Sequence, residues 1–343
     1  MLGAIGMGAA AIPAEADQMV ATVPPVFYPD GELSAYHGLI VMGGHTLGGP
    51  PSFFAVSGGA VTRLPINAPT RDLGGLDLGP GQQGGTEAAY EGCHDVTSMG
   101  EGSSECDIYR YEFQSHQTSR VPSASSRRYE ETSPSVWRGR IAFVRSRLND
   151  EGLPVSVGPQ LGAFATPPLV GLAHVAPPAH RRWLVGVAEA DLRGHTLAYV
   201  TFNYRLPRGS TMRLLVKRLN HQAEGHACEI VHGSGGSLSS PQLDGDYVYW
   251  QRRRFTSTDT WTIHRRRLPG ANCRSRGPEQ VVPRTFRPTV EPSQSVSPFS
   301  FAVDHGHIYY SVDVTDYPLA PDFSLLIDHG EIWEVQPVTF KNL

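Results

Sequence analysis

The chain has 343 residues, of which 40% are hydrophobic and 18% are charged, and its formal net charge is −4. This hydrophobic share can fill a sizeable core, and the charge is too low for a disordered chain. The small net charge excludes a global field that would draw the chain to nucleic acid or anionic lipid. No segment approaches the roughly 20 apolar residues that span a bilayer, so no transmembrane span is expected.

Glycine and proline punctuate the whole chain, with 37 Gly and 28 Pro. Long helices are hard to place in such a sequence, because proline breaks a helix and glycine weakens it. The hydrophobic residues come in short runs bounded by Gly, Pro and Ser, which is typical of many short strands joined by turns. The composition therefore predicts an all-β fold.

The N-terminal segment has the composition of a processed leader. Residues 1–12 are small and apolar, and Ala14-Glu15-Ala16 fits the pattern of a signal-peptidase site, although the usual basic region is missing. We interpret residues 1–20 as a signal-peptide remnant or a flexible N-terminal tail. Residues 21–343 are predicted to form a single domain.

A short pattern then recurs along the chain: a turn glycine followed, four or five residues later, by an aromatic or large apolar residue. The copies begin at Gly38, Gly139, Gly194, Gly245 and Gly306, with a weaker copy at Gly85. Their spacing of roughly 50 residues matches one four-stranded propeller blade with its loops. We predict a six-bladed β-propeller of four-stranded antiparallel blades.

Each unit is predicted to contain strand A before the glycine, strand B after it, a variable loop, strand C and a return strand D. The alternating runs assigned to strand C start at Phe53, Asp107, Met212, Trp261 and Ile332. Ser-Pro pairs precede three of the glycines. The third unit fits least well, because no strand C or D is placed between residues 147 and 183.

Four cysteines support export, where an even number indicates disulfides, and none has the C-x-x-C spacing of a zinc site. Three pairings are possible in principle. In the repeat, Cys93 ends strand B of the second unit and Cys106 begins strand C, so these antiparallel neighbours are predicted to pair. Cys228 and Cys273 lie in the C–D turns of adjacent units, and their pairing follows mainly by elimination.

The segment from Cys106-Asp-Ile-Tyr-Arg-Tyr to Glu131-Thr-Ser-Pro-Ser-Val-Trp-Arg-Gly-Arg-Ile-Ala-Phe143 resembles the WD40-like (PD40) repeats of TolB-type propellers. Residues 240–249 and the last unit around Ser297 are similar. The resemblance implies a six-bladed propeller in an exported or envelope protein. The S-P-D-G turn typical of the family is absent, and neither the family's partners nor a site is carried over, because the matching residues are structural.

No sequence motif predicts a catalytic residue, a cofactor or a metal. His305-Gly-His307 lies on a repeat turn and is interpreted as solvated, and no H-E-x-x-H, G-x-S-x-G or Walker loop is present. Carboxylates flank the turns, but the sequence does not show which of them converge; they are Asp191, Asp244, Asp246 and Asp304.

Two arginine triplets end strands B and C of the fifth unit. We interpret them chiefly as a solvated edge paired with carboxylates. The alternative is a basic patch for an anionic ligand, formed by Arg252, Arg254, Arg265 and Arg267.

Two functions remain open. The first is a non-catalytic, secreted or periplasmic binding protein that recognises a protein or glycan of the cell envelope and acts as a monomer. The second is a hydrolase or lyase acting on sugars or peptides, with its site at the mouth of the central channel. Convergence of three His, Asp or Glu side chains at that mouth would favour the enzyme.

Overall fold

The computed structural model describes residues 17–23, 27–46, 50–66, 72–94, 105–124, 129–147, 160–164, 184–205, 209–219, 227–234, 237–254, 260–270, 273, 277–282, 294–316, 327–336 and 338–343. Apart from one 3-10 turn at Pro122–Ala124, the regular structure in these ranges is β-strand. None of the described residues belongs to a helix long and apolar enough to cross a membrane.

The strands, in chain order, are β1 (Gln18–Thr22), β2 (Phe27–Tyr36), β3 (Leu39–Thr46), β4 (Pro51–Ser57), β5 (Ala60–Arg63), β6 (Asp72–Pro80), β7 (Thr86–His94), β8 (Glu105–Glu112), β9 (Gln117–Arg120), β10 (Tyr129–Trp137), β11 (Arg140–Arg147), β12 (Gln160–Phe164), β13 (Leu184–Arg193), β14 (Thr196–Arg205), β15 (Gly209–Arg218), β16 (Cys228–Ser234), β17 (Ser237–Asp244), β18 (Tyr247–Arg254), β19 (Thr260–Arg267), β20 (Gln280–Val281), β21 (Gln294–Asp304), β22 (His307–Asp316), β23 (Ile327–Glu334) and β24 (Lys341–Asn342).

The described strands form six antiparallel sheets, numbered here in chain order. Sheets 1, 2 and 4 are β2–β5, β6–β9 and β13–β16, and each has four strands. Sheet 5 is β17–β20 with β24 at its edge, and sheet 6 is β21–β23 with β1. Sheet 3 departs from the four-stranded prediction, because its described part is β10–β12 and residues 165–183, where a fourth strand would fall, lie outside the described ranges.

The sheets follow one another around a ring, with the first strand of each sheet innermost. β2 contacts β6, β6 contacts β10, β10 contacts β13, β13 contacts β17 and β17 contacts β21, which returns to β2. A separate hydrophobic core fills the space between each pair of neighbours. Between sheets 5 and 6, for example, Trp261 and Ile263 pack with Phe301 and Tyr310. This arrangement confirms the predicted propeller class with antiparallel four-stranded blades.

The N-terminal strand closes sheet 6. β1 pairs antiparallel with β23, and Ala21 and Val23 are buried in the core between sheets 6 and 1. Gln18, Met19 and Val20, which the boundary after residue 20 assigns to the N-terminal segment, belong to this sheet, and the division into domains stays a prediction. Residues 1–16 lie outside the described residues, so the leader stays a prediction.

The repeated glycines lie in the turns between the first and second strands, as predicted. Gly38, Gly139 and Gly306 have φ of +77°, +74° and +82°. The residue before each of them also has positive φ, which is the backbone of a two-residue hairpin turn whose twist matches the strands. The sequence repeat therefore marks the end of the ring at which these turns lie, which we call the turn face.

Two of the three Ser-Pro pairs coincide with bulges in the innermost strands. Ser133 and Ser240 each have φ of +49°, and the register of their strands shifts at that point. The N–H groups of these serines donate to the carboxylates of Glu91 and Glu189 in the preceding sheet. A bulge suits proline because the extra residue does not take part in the ladder.

Polar contacts also join sheets 2, 3 and 4 across their innermost strands. The hydroxyl oxygen of Ser135 lies 2.8 Å from Oδ2 of Asp77 and 2.9 Å from Oδ1 of Asp191. The same oxygen accepts a hydrogen bond of 2.7 Å from the N–H of Leu192. Asp191 in addition accepts from the N–H of Leu243 in sheet 5. One serine hydroxyl thus connects two half-buried carboxyl groups.

Both predicted disulfides are confirmed. Cys93 and Cys106 are direct register partners on β7 and β8, so their bridge ties the ends of a hairpin. Cys228 begins β16 and Cys273 lies between β19 and β20, so the second bridge joins sheets 4 and 5.

Candidate functional site

The last paired residue before each turn contributes a side chain to the turn face. These residues are Tyr36, Pro80, Trp137, Arg193, Asp244 and Asp304, and we call them the mouth ring. Because they end the innermost strands, they surround the opening of the ring. The residue type at this position differs from sheet to sheet, whereas the turn glycine that follows it recurs in every sheet.

Two aromatic residues and an arginine cover one side of the mouth ring. The rings of Tyr36 and Trp137 meet edge to face with centroids 6.3 Å apart. The guanidinium carbon of Arg193 lies 5.4 Å from the centroid of the Trp137 ring, and Nη1 of Arg193 lies 2.5 Å from Oδ1 of Asp244. Burial raises the pKa of Tyr36, while the charges of Arg193 and Arg138 oppose that rise and Asp304 adds to it.

The two mouth-ring aspartates hold neighbouring turns together. Oδ2 of Asp304 accepts a hydrogen bond of 2.8 Å from the N–H of Gly38 in sheet 1. Oδ2 of Asp244 accepts one of 2.7 Å from the N–H of Gly306 in sheet 6. Both carboxyl groups are buried. These two predicted carboxylates are therefore engaged with the backbone, and Asp246 is exposed.

A cleft of about 440 Å³ opens beside the mouth ring, between the turns of sheets 1, 2 and 3. Tyr36, His37, Gln82 and Arg138 contribute its larger side chains, and the turn at residues 81–85 forms its glycine-rich wall. Gly84 has φ of +90°, and a Cβ there would have no heavy atom within 4 Å, so this wall is open. At Gly85 in the same wall a Cβ would lie 2.8 Å from Nε2 of Gln114, so the open part of the wall is at Gly84.

Backbone conformation fixes two residues of this cleft. His37 and Arg138 both have φ of +51°, a conformation that residues other than glycine adopt uncommonly. The Tyr36 ring stacks on the His37 ring with centroids 4.2 Å apart, and the N–H of Arg138 donates to the carbonyl of Pro80 at 2.6 Å. His305 has the same φ at the matching turn of sheet 6, so the conformation belongs to the two-residue hairpin turn and fixes where these side chains begin.

The rim of the cleft is positively charged. Arg138 is exposed and, within the described ranges, forms no ion pair. Burial lowers the pKa of the neighbouring Arg140, and the charge of Arg138 lowers it further. Arg140 does not line the cleft, because its guanidinium donates to the carbonyl of Gly194 in sheet 4, so Arg138 is the cation that the cleft presents.

Two histidines and a carboxylate lie close together at the mouth. Nδ1 of His305 and Oδ1 of Asp304 are 2.8 Å apart, and the ring centroids of His305 and His37 are 5.0 Å apart. In the described part of the chain, the one group of three potential metal ligands within reach of one another is Glu91, Cys93 and Cys106, and its cysteines are bonded to each other. The enzymatic alternative stays a prediction.

The predicted arginine patch is divided between the two faces of sheet 5. Arg252 lies on one face, with Nη1 4.0 Å from Glu279. Arg265 lies on the other, where its guanidinium carbon is 3.5 Å from the centroid of the Phe340 ring. Arg267 pairs with the exposed Asp246 at 3.3 Å, and the side chain of Arg254 lies outside the description. Binding of an anion by these residues stays a prediction.

Comparison with known proteins finds solved structures to which this chain is similar. A protein of unknown function from Dyadobacter fermentans DSM 18053 matches with a TM-score of 0.50 and 14% identity, over 95% of this chain and 100% of that chain. A fucose-specific lectin from Aleuria aurantia gives 0.49 and 8%, over 89% and 97% of the chains. A puromycin-hydrolyzing peptidase of Mycobacterium tuberculosis gives 0.47 and 11% over 88% of this chain, which spans 54% of that peptidase.

At these identities the similarity concerns the fold alone. No protein-family model matches the chain, and no curated protein matches it either.

Proposed function

We propose that this chain is an exported, six-bladed propeller that binds a carboxylated glycan in the cleft beside its mouth ring. The observation that carries the proposal is the exposed Arg138 at an open cleft that also contains Tyr36 and Gln82. Six sheets with six cores in cyclic order support the blade count. The two disulfides support export to an oxidising compartment.

The chemistry of the cleft fits an acidic sugar. A guanidinium group binds a carboxylate through two parallel hydrogen bonds, which fixes the orientation of the ligand as well as attracting it. The cleft also contains the amide of Gln82 and the aromatic ring of Tyr36, which are groups of the types that contact sugars. Such a site requires no cofactor, and a monomer contains all of it.

The relation to TolB-type propellers is part of this proposal and rests on the repeat residues quoted above. A secreted or periplasmic location and an envelope partner follow from the same resemblance and from the disulfides. We do not transfer a ligand from any protein of similar fold.

Calorimetric titration with oligogalacturonates, with neutral maltooligosaccharides as the reference, tests the proposal. Arg138→Asn is the informative variant, because asparagine tolerates the left-handed backbone at this position and removes the charge. We expect oligogalacturonate affinity to fall about tenfold, or about 1.4 kcal/mol, and the remaining affinity to depend less on salt. Arg267→Gln, which removes an equally exposed arginine elsewhere, is the matched control.

Equal binding of the acidic and neutral sugars, or unchanged affinity in Arg138→Asn, would overturn the proposal. Loss of binding in Arg267→Gln instead would locate the anion site on sheet 5.

A further inference from the structure

A hydroxyl, an imidazole and a carboxylate are connected in series on sheet 5, far along the chain from the cleft residues. Oγ1 of Thr262 lies 2.7 Å from Nε2 of His264, and Nδ1 of His264 lies 2.8 Å from Oε1 of Glu279. Thr262 and His264 are two residues apart on β19, so strand geometry puts both side chains on one face. Glu279 reaches them from the loop that precedes β20.

The direction of each hydrogen bond in this series follows from the charge of Glu279. Burial raises the pKa of Glu279, but the hydrogen bond from His264 and the charges of His264, Arg252 and Arg266 outweigh burial and hold it below its ordinary value. An ionised carboxylate only accepts hydrogen bonds, so Nδ1 of His264 carries the proton. When the imidazole is neutral, which is the form that acts as a base, Nε2 has the free electron pair and the hydroxyl of Thr262 donates to it.

The surroundings hold the imidazole in place while leaving the hydroxyl within reach. His264 is 4% exposed, and its ring stacks on Trp250 with centroids 5.6 Å apart and an interplanar angle of 21°. Thr262 is partly exposed. A base with a fixed orientation beside an accessible hydroxyl is the geometry that activates a nucleophile.

A cation lies beside the hydroxyl. Arg252 is the direct register partner of Thr262 on the adjacent strand β18, and directly paired residues share a face of the sheet. Its side chain is 26% exposed and its Nη1 is 4.0 Å from Glu279. A guanidinium in this position can stabilise negative charge that develops on a carbonyl oxygen attacked by Thr262.

We propose that Thr262, His264 and Glu279 form an acyl-transfer site that hydrolyses carboxylic esters, with Arg252 as the oxyanion-stabilising group. Oγ1 of Thr262 attacks the carbonyl carbon while its proton passes to Nε2 of His264. The carbon–oxygen bond of the ester breaks, and the leaving alcohol takes that proton. Water then attacks the acyl-threonine, gives one proton to Nε2, and the carboxylic acid leaves as Oγ1 recovers the proton.

This site is independent of the glycan cleft, so either proposal can fail without the other. It gives a role to Arg252, one arginine of the predicted patch. The arginines of the patch that lie on the opposite face of the sheet take no part. It also differs from the enzyme alternative of the sequence analysis, because it lies on the outer strands and not at the channel mouth.

The test is the reaction of the intact protein with p-nitrophenyl acetate, read both as nitrophenol release and as acetylation of the peptide that contains Thr262. General base catalysis contributes about 10² to 10⁴ in rate, so Thr262→Val, which keeps the shape and removes the hydroxyl, should lower the protein-dependent rate at least 100-fold. Glu279→Gln should lower it while leaving Thr262 in place. Stable background acetylation falls chiefly on the amines, of which Lys217 and Lys341 are the lysines. The 14 histidines also release nitrophenol through their imidazole groups, so acetylation of the peptide that contains Thr262 is the deciding readout.

Thr262→Ser separates catalysis from a structural role. A primary hydroxyl is less hindered, so this variant should react at least as fast as the wild type, whereas a purely structural hydrogen bond gives no reason for activity in either protein. Thr201→Val, a buried threonine on β14 whose hydroxyl lies 3.5 Å from a backbone carbonyl, is the control and should leave the rate unchanged. Unchanged release in Thr262→Val, or acetyl found only on amines, would overturn the proposal.

Discussion

The serine hydroxyl that connects Asp77 and Asp191 predicts a proton shared by the two carboxyl groups. The hydroxyl has one hydrogen and already accepts from Leu192, so it can donate to one carboxylate only. The other oxygen, at a distance below 3 Å, must therefore carry a proton. Burial raises the pKa of Asp77 to about 7, and the charge of Asp191 raises it as well, against hydrogen bonds that lower it.

The sign of the pH dependence follows from this raised pKa. The folded state holds a proton that the unfolded chain releases near pH 4, so the folded state binds more protons between about pH 4 and 7. The stability that this proton contributes is fully present below this interval and is lost as pH rises through it. Each pH unit corresponds to about 1.4 kcal/mol of stability, so the loss of stability over the whole interval is roughly 4 kcal/mol at most. The half-buried state of both groups makes this an upper limit.

Asp191→Asn isolates the effect. The amide nitrogen can donate to Ser135 and the amide oxygen can accept from Leu243, so the variant needs no proton from solvent. We expect its free energy of unfolding to exceed that of the wild type by about 1–2 kcal/mol at pH 8 and to match it within about 0.5 kcal/mol at pH 5. Urea unfolding followed by tryptophan fluorescence at both pH values measures this difference.

Asp246→Asn is the control, because Asp246 is exposed and forms a surface ion pair, which contributes little. The pKa of Glu189, which burial raises to about 7, contributes equally to the wild type and the variant and cancels in the comparison. A loss of stability in Asp191→Asn of the same size at pH 5 and pH 8 would refute the shared proton.

Three further outcomes are expected. Replacing both cysteines of the Cys93–Cys106 bridge by alanine should lower the free energy of unfolding by about 3 kcal/mol. The same change at the Cys228–Cys273 bridge should lower it by about 4 kcal/mol, because its sequence separation of 45, against 13, closes a longer loop. Chemical unfolding of each double variant measures both losses. Gly79→Ala places a Cβ 2.1 Å from the carbonyl oxygen of Val136 and should lower the free energy of unfolding by more than about 2 kcal/mol. Gly277→Ala, whose Cβ has its nearest contact at 3.5 Å, is the control and should change the free energy of unfolding little in the same assay. Deleting residues 1–23 removes β1 and should lower the thermal midpoint by more than about 5 °C, since it exposes the edge of β23 and part of a core.

The sequence repeat predicted the parts of the fold that local chemistry determines. The glycine at each first turn is required by positive φ, and so it recurs and can be found. The Cys93–Cys106 pair followed from the antiparallel hairpin that the repeat implied. The pairing of β1 with β23 could not be found in this way, because alternation shows that a segment is a strand but not which strand it joins.

The candidate sites were not predictable for a different reason. The mouth-ring position holds six side chains of unrelated chemistry, so the repeat gives no motif there. In the sequence, Arg138 stands out only as the residue before a turn glycine, and Tyr36 only as the residue two positions before one. In the acyl-transfer site, Thr262 and His264 are adjacent on one strand face, but Glu279 joins them through a loop whose path the sequence does not indicate.

The strand that closes sheet 6 has a consequence for biosynthesis. β1 leaves the ribosome before β22 and β23, the strands against which it completes a sheet. The ring therefore cannot close until both of these strands have been synthesised. Until then β1 has no partner strand and must avoid pairing with other strands. A chain exported unfolded would form its ring beyond the membrane, where its cysteines can also oxidise.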